Sequence, residues 1–349
     1  MGPIPFMELL RLWPEGMPHL KKGEALQGAR HMKVGFIGLG MMGASMASNL
    51  QKSGYKLVVH DLQRQAASQH LAAGATWADT PRAVAEQSDV ILTSLPGPKE
   101  VEAVVMGADG VAAGMKPGAA IFDLTTNAPS MVRKLHAELL AKGLHFLDAP
   151  VSGGPAGAKS GKLAIWVGGD EAIFKAHKAV LDGFSDAARY IGPIGAGSVA
   201  KLVHNCAGYA VQAALAECMT LGVKGGVEPA ALWEAVRMGA LGRQRTFDRL
   251  ADQYLQNSYE PPAFALKLAF KDMTLATDLG RELGVPMRLA NLAYAEMVEG
   301  MNRGWAQRDS RSPMILQNER AGVKIEVDAK RLKEILDRDP PYTPPAKKG

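Results

Sequence analysis

One stretch limits what this chain can fold into: Lys33-Val-Gly-Phe-Ile-Gly-Leu-Gly-Met-Met-Gly-Ala-Ser-Met-Ala-Ser-Asn-Leu50. Val34, Phe36 and Ile37 form a short, strand-prone apolar run. Gly38, Gly40 and Gly43 follow as G-x-G-x-x-G, and Met42, Met46 and Leu50 then recur at helical spacing. The first glycine permits a tight turn, the second lets backbone approach a pyrophosphate, and the third lets the helix pack closely on the strand. The helix N-terminus adds free N–H groups and the positive end of a dipole. Taken alone, the triplet also suits a glycine-rich packing turn. Its setting between strand and helix, with a second strand and an acid beyond, points to a dinucleotide. Gly38, Leu39, Gly40, Met41, Met42 and Gly43 are the residues that would hold it.

Tyr55 to His60 reads as the second strand, and Asp61 ends it. A carboxylate there accepts both hydroxyls of the adenosine ribose and repels a 2′-phosphate, which favours NAD over NADP. Arg64 can pair with such a phosphate and keeps NADP open. A solvated loop acid or helix cap is the plainer role for Asp61.

Strands and helices alternate onward. Asp89–Leu95, Ala119–Thr126, His145–Ala149, Leu163–Gly168 and Ala188–Ile191 read as strands. Gln63–Ala73, Pro81–Gln87, Val101–Met106, Pro129–Lys142 and Glu171–Leu181 read as helices. This alternation predicts a parallel sheet covered on both faces, with ligands beyond the carboxyl ends of its strands. Leu95-Pro96 and Thr125-Thr126-Asn127 lie at such ends, where ordinary loop chemistry also suits them. The pattern changes at Gly192-Pro-Ile-Gly-Ala-Gly197. Helices are predicted over Ser198–Val223, Pro229–Met238, Arg245–Leu255, Leu266–Leu283, Met287–Asn302 and Pro313–Arg320, with one short strand-like run at Val323–Val327. The expected fold is an α/β Rossmann-type N-terminal domain followed by an all-α C-terminal domain. The expected boundaries are an extension at 1–31, a dinucleotide domain at 32–194, a helical domain at 195–323 and a tail at 324–349.

A formal charge of +5 spread over 349 residues gives no basic stripe for nucleic acid, yet suits an anionic cofactor or substrate. No apolar run approaches a membrane span, and residues 1–31 lack the compact apolar centre of a signal peptide. Cys206 and Cys218, twelve residues apart in one predicted helix, cannot close a disulfide there and match no zinc spacing. A cytoplasmic location and a site without metal are the expectations.

Three further blocks carry chemistry. Asp148-Ala-Pro-Val-Ser-Gly-Gly154 offers a hydroxyl and exposed N–H groups to a carboxylate, though it also reads as a plain connection. Gly195-Ala-Gly-Ser-Val-Ala-Lys-Leu-Val-His-Asn205 puts Lys201 and Asn205 on one helix face at the domain junction. A lysine there serves as acid–base if its surroundings lower its pKa, and His204 is a second candidate for that role. An exposed surface lysine is the competing reading. Lys267 and Lys271 align with Phe264 on a further helix, where solvated lysines are usual.

Together the blocks GFIGLGMMGASMASNL, DAPVSGG, GAGSVAKLVHN and KDMTLA resemble the 3-hydroxyisobutyrate dehydrogenase-like family of β-hydroxyacid dehydrogenases, from about Lys33 to Val323. The resemblance implies a Rossmann-type domain followed by helices that begin with one long helix. It implies NAD(P) bound by the glycine block, Asp61, Leu95, Pro96, Thr126 and Lys271. It implies substrate held by Ser152, Gly153, Gly154 and Asn205, and Lys201 as the catalytic lysine. Glu100 and Thr125-Thr126-Asn127 depart from the commoner family residues. The implied reaction is reversible hydride transfer on a small anionic 3-hydroxy acid or semialdehyde, in a homodimer or homotetramer. A tartronate semialdehyde reductase is the nearest alternative. Imine reductases generally replace the lysine, and non-catalytic NAD(P)-binding relatives lack it.

Overall fold

The apolar runs of the first half assemble into one sheet. The computed structural model describes residues 32–239, 241–242 and 248–338, so the expected extension at 1–31 and residues 339–349 lie outside the described residues. The strands are β1 (Lys33–Ile37), β2 (Lys56–His60), β3 (Thr76–Trp77), β4 (Val90–Thr93), β5 (Ala120–Asp123), β6 (His145–Asp148), β7 (Val151–Ser152), β8 (Leu163–Gly168) and β9 (Ser185–Gly192). Their order is β3-β2-β1-β4-β5-β6-β8-β7, with β9 also paired to β8. From β3 to β6 every pairing is parallel. β8 runs antiparallel to β6 and β7, and parallel to β9.

Helices cover both faces. They are α1 (Met41–Lys52), α2 (Ser68–Ala72), α3 (Pro81–Glu86), α4 (Pro98–Met106), α5 (Val111–Gly114), α6 (Pro129–Leu140), α7 (Gly154–Ser160) and α8 (Glu171–Asp182). Successive residues of a strand point to opposite faces. Phe36, Phe122 and Leu147 therefore pack with Met46 and Leu50 of α1 and Leu181 of α8. Ile37, Ile121 and Phe146 pack instead with Val84 of α3, Val101 of α4 and Leu135 of α6. A sheet buried on both faces needs continuous apolar strands, which is why β4 and β5 read so clearly. The order reverses between β1 and β4, and a crevice opens beyond their carboxyl ends.

The second half is helical: α9 (Ala196–Lys224), α10 (Pro229–Met238), α11 (Leu266–Glu282), α12 (Arg288–Asn302), α13 (Met314–Ala321) and α14 (Ala329–Arg338). At 29 residues, α9 is about 43 Å long. It leaves the edge of the sheet beside β8 and becomes the post around which α11, α12 and α13 pack. Leu215, Trp233, Tyr254 and Leu332 form one core of this half, and Tyr209, Leu266, Met273 and Met297 another.

Four readings of the sequence change. Val323–Val327 is not a strand. Ile325 and Val327 alternate into the Trp233–Tyr254 core, but the run finds no strand beside it, and Val327 N–H donates to Leu255 O at 2.6 Å. Residues 324–338 are not a tail, because α14 buries Leu332 and Ile335 on that same core. The expected helix Arg245–Leu255 appears only as a 3-10 turn, Asp248–Ala251, while 243–247 lie outside the described residues. Gln63–Ala73 divides into a 3-10 turn, Arg64–Ala67, and α2. Among the described residues no helix is long and apolar enough to cross a membrane.

Candidate active site

The glycines at the crevice each have a distinct steric reason. Gly38 has φ +94°, and a Cβ there would stand 2.2 Å from Ser94 O. A Cβ on Gly43 would stand 1.9 Å from Gly38 O, so only glycine lets α1 begin so close to β1. Gly40 differs. A Cβ on it would meet nothing within 4 Å, yet Gly40 lines the cleft. The space is open on the ligand side, as a close backbone approach to a pyrophosphate requires. The residues present therefore fit a dinucleotide.

The cleft has a volume of about 760 Å³ and runs between the sheet's carboxyl edge and the helical half. Asp61 marks one end. Its Oδ2 accepts Leu39 N–H at 2.7 Å and its Oδ1 accepts Gln63 N–H at 2.9 Å, so the carboxylate braces the glycine turn while facing the cleft. The Arg64 guanidinium lies 5.4 Å from the centre of the Trp77 ring. Met41, Met42, Leu95, Pro96, Thr125 and Thr126 continue the lining, and Lys201, Lys271 and Asp272 stand at the other end.

Asp123, fully buried at the end of β5, arranges the Thr125–Asn127 turn. Its Oδ1 accepts Thr93 Oγ1–H at 2.9 Å and Thr125 N–H at 3.1 Å, and its Oδ2 accepts Asn127 Nδ2–H at 2.9 Å. Thr125 Oγ1 in turn accepts Leu95 N–H at 3.0 Å, tying the two cleft turns together. Burial pushes the Asp123 carboxyl upward, against the downward pull of these donors.

Lys201 is placed by a second buried acid. Asp148 Oδ1 accepts Gly195 N–H at 2.8 Å and Oδ2 accepts Ser198 N–H at 2.6 Å, which satisfies donors at the start of α9. A Cβ on Gly197 would stand 2.3 Å from Trp166 O, so glycine also permits the close seating of α9 on β8. Lys201 then faces the cleft from the second turn. Burial lowers its pKa; the charge of Asp272 raises it and that of Lys271 lowers it.

Asp272 is only 2% exposed. Its Oδ2 accepts Asn205 Nδ2–H at 2.7 Å, and Lys271 Nζ lies 3.0 Å from its Oδ1, in ion-pair contact but off the hydrogen-bond direction. Lys271 Nζ also donates to Thr126 O at 3.2 Å, from the helical half to the sheet half. Thus Lys201, Asn205, Lys271 and Asp272 form one cluster.

The expected substrate loop is partly in place. Gly153 has φ +132° and Gly154 φ +60°, conformations that favour glycine. Gly154 and Val151 line the cleft, whereas Ser152 and Gly153 are not among its lining residues, and Asn205 reaches it through Asp272. Leu39 is buried beneath the turn and offers its N–H to Asp61 rather than to the cleft. His204 is set aside as the acid–base alternative: it is exposed, its Nδ1 contacts Asn205 Oδ1 at 3.0 Å, and its ring sits 5.3 Å from that of Trp166. Lys267 is exposed, whereas Phe264 and Leu268 give the cleft an apolar wall. Reading the sequence missed Asp123, Asp148 and Asp272. Each is an acid ending or interrupting an apolar run, which is the one signal that marks them.

Residues 33–192 match the NAD-binding domain of 6-phosphogluconate dehydrogenase. Residues 195–316 match the family described as NAD-binding of NADP-dependent 3-hydroxyisobutyrate dehydrogenase. The chain is 34% identical to 2-(hydroxymethyl)glutarate dehydrogenase of Eubacterium barkeri, over 85% of this chain and 98% of that one. It is also 34% identical to the NAD-dependent L-serine dehydrogenase of Pseudomonas aeruginosa, over 79% of this chain and 95% of that one. The crystal structure of 3-hydroxyisobutyrate dehydrogenase from Salmonella typhimurium superposes with a TM-score of 0.73 at 31% identity, covering 82% of this chain and 99% of the other. Fold, cleft and likeness converge: the chain belongs to the β-hydroxyacid dehydrogenase family of 3-hydroxyisobutyrate dehydrogenase, and is an NAD(P)-dependent oxidoreductase acting on the CH–OH group of small hydroxy acids.

Proposed function

We propose that the protein oxidises a short 3-hydroxy acid to its semialdehyde, reversibly, with NAD as the preferred cofactor and Lys201 as the acid–base group. The observation that carries this reading is the enclosed Lys201 at the cleft wall, with Asp272, Asn205 and Lys271 gathered around it. Neutral Lys201 takes the hydroxyl proton as the carbinol C–H bond breaks, and the ammonium so formed stabilises charge on the oxygen. When bound, the nicotinamide ring supplies the hydride acceptor. Ser152 Oγ–H and the N–H groups of Gly153 and Gly154 hold the substrate carboxylate, which orients the carbinol. Asn205 holds Asp272, and Lys271 fastens the helical half over the Thr126 turn.

Phe264, Leu268, Val151 and Leu124 make the wall nearest this cluster apolar, which favours a methyl-bearing acid such as 3-hydroxyisobutyrate over a more polar one. The test is a panel of 3-hydroxyisobutyrate, L-serine and 2-(hydroxymethyl)glutarate, with tartronate semialdehyde in reverse, each assayed with NAD(H) and NADP(H). The expected ranking puts 3-hydroxyisobutyrate first. Preferential reduction of tartronate semialdehyde replaces the substrate, and no nicotinamide-linked turnover with any of them overturns the reading. The Asp61 carboxylate faces the position a 2′-phosphate would take, so NAD exceeds NADP by about tenfold or more in kcat/KM. Leu283, Val285, Leu289 and Leu292 are at least half exposed along the start of α12 and the turn before it. This face fits a second copy of the chain, in a homodimer or homotetramer.

A further inference from the structure

Phe264 lines the cleft beside Leu268 and Lys271, yet no helix or strand places it. Residues 258–264 form a loop, and α11 begins only at Leu266. Such a segment is fixed by whatever its backbone polar groups bond to. Phe264 is held at both of its own. Its N–H donates to Asp309 Oδ2 at 3.2 Å, and its carbonyl accepts Ser310 N–H at 2.8 Å. Asp309 Oδ2 also accepts Ala263 N–H at 2.9 Å, and Asp309 N–H donates to Tyr259 O at 2.9 Å. Asp309 is fully buried, where a carboxylate persists only if it is paired. Its second oxygen meets that need. Oδ1 accepts Arg311 N–H at 3.0 Å and Arg311 Nη1–H at 3.1 Å. Arg311, itself buried, also donates to Gln253 Oε1, and to Asp252 Oδ2 at 3.4 Å.

The two oxygens therefore divide the work: Oδ1 faces the buried cation, and Oδ2 faces the loop that carries Phe264. We propose that Asp309 is a positioning residue for substrate choice. Through Oδ2 it sets the Phe264 main chain, and with it the ring that walls the substrate's side group. This rests on the hydroxy-acid reading above and deepens it. 3-Hydroxyisobutyrate and L-serine share a carbinol and a carboxylate, and differ in a methyl group against an ammonium. An apolar ring held against that group favours the methyl, and a ring free to withdraw admits water and favours neither.

The test reads the ratio of kcat/KM for 3-hydroxyisobutyrate to that for L-serine, in the full chain. Asp309→Asn puts an N–H donor against either the loop amides or Arg311. The ratio should fall about fivefold or more, through a raised KM for 3-hydroxyisobutyrate, with kcat and NADH affinity within about twofold of wild type. Phe264→Ala should lower the ratio likewise, and Asp309→Asn added to it should lower it no further. Arg311→Gln breaks the ion pair at Oδ1 and leaves Oδ2 on the loop. It should lower Tm and hold the ratio within about twofold. An unchanged ratio in Asp309→Asn overturns the proposal. An equal fall in Arg311→Gln also overturns it, since the effect then belongs to the stability of the cluster. A further fall in the double variant shows that Asp309 does not act through Phe264. Hydrogen exchange of the wild type keeps the test open should Asp309→Asn not fold. The Ala263 and Phe264 amides should exchange at least about tenfold more slowly than in an open chain, and unprotected amides refute the contact. Absence of turnover by the wild type with either acid overturns the hydroxy-acid reading instead, and is separable because it needs no variant.

Discussion

A lysine enclosed at a cleft wall, with one carboxylate and a second ammonium nearby, is a base whose strength its neighbours set. Burial and Lys271 draw the Lys201 pKa down from the ordinary lysine range, and Asp272 restrains the fall. Oxidation needs the neutral amine. The rate of alcohol oxidation therefore rises with pH through the lowered Lys201 pKa, and reduction, which needs the ammonium, declines across the same interval. Lys201→Ala should cost about 10²–10⁴-fold in kcat while NADH still binds, measured by turnover and by fluorescence titration. Near-normal turnover would remove Lys201 from the chemistry. Asp272→Asn keeps the side-chain size and removes the charge that raises the Lys201 pKa. The acid limb of the oxidation profile, on which the rate rises with pH, should move to lower pH, and an unmoved limb means that Asp272 does not act through Lys201. Lys201 and Asn205 were legible because a four-residue interval on a helix declares a shared face. Asp272 was not, because its partner Asn205 lies 67 residues away, and Asp123 joins its own Thr125–Asn127 turn to Thr93, 30 residues away. No local pattern encodes such a pairing.

At the scale of elements, the glycine turn separates folding from binding. Gly40 and Gly43 are equivalent letters in the motif, but their surroundings are opposite. Gly43→Ala drives a Cβ into the Gly38 carbonyl and should lower Tm by several degrees, by forcing α1 away from β1. Gly40→Ala meets no protein atom. It should leave Tm within about 2 °C of wild type, while it weakens NADH binding by about tenfold or more. Thermal unfolding and NADH titration of the two variants together check this. An unaffected NADH affinity in Gly40→Ala would mean that the backbone is not approached there. The same contrast explains which elements could be read. β4 and β5 are buried on both faces, so composition alone marks them. Val323–Val327 alternates like a strand, yet its apolar residues fill a helical core, and periodicity cannot tell which kind of core receives them. In α14, five charged residues stand in Ala-Lys-Arg-Leu-Lys-Glu-Ile-Leu-Asp before its last arginine. The helix is visible only through Leu332 and Ile335, which lie three residues apart on one buried side.

At the scale of the whole molecule, both halves are needed for one site. Asp148 ties the sheet to the start of α9, and Lys271 ties α11 back to the Thr126 turn. The site is therefore only as rigid as the helical half that carries Lys201, Lys271 and Asp272. That half leaves Leu289 at 73% and Leu292 at 67% exposed, while Met297, later on the same helix, is buried in the core. The apolar residues of α12 thus divide between an inner side, which the chain itself covers, and an outer side, which it does not. Covering the outer side with a second copy would hold α12 firmly against α11 and α9. Leu289→Glu with Leu292→Glu places two like charges on that face. In light scattering the wild type should have at least twice the mass of one chain, and the double variant should fall toward the monomer. Because Lys201 and Asp272 are untouched, the variant should keep its NADH affinity at low temperature and lose Tm, since binding of a second copy stabilises the folded chain by mass action. A wild type of monomeric mass would leave this face without a partner copy and refute the assembly.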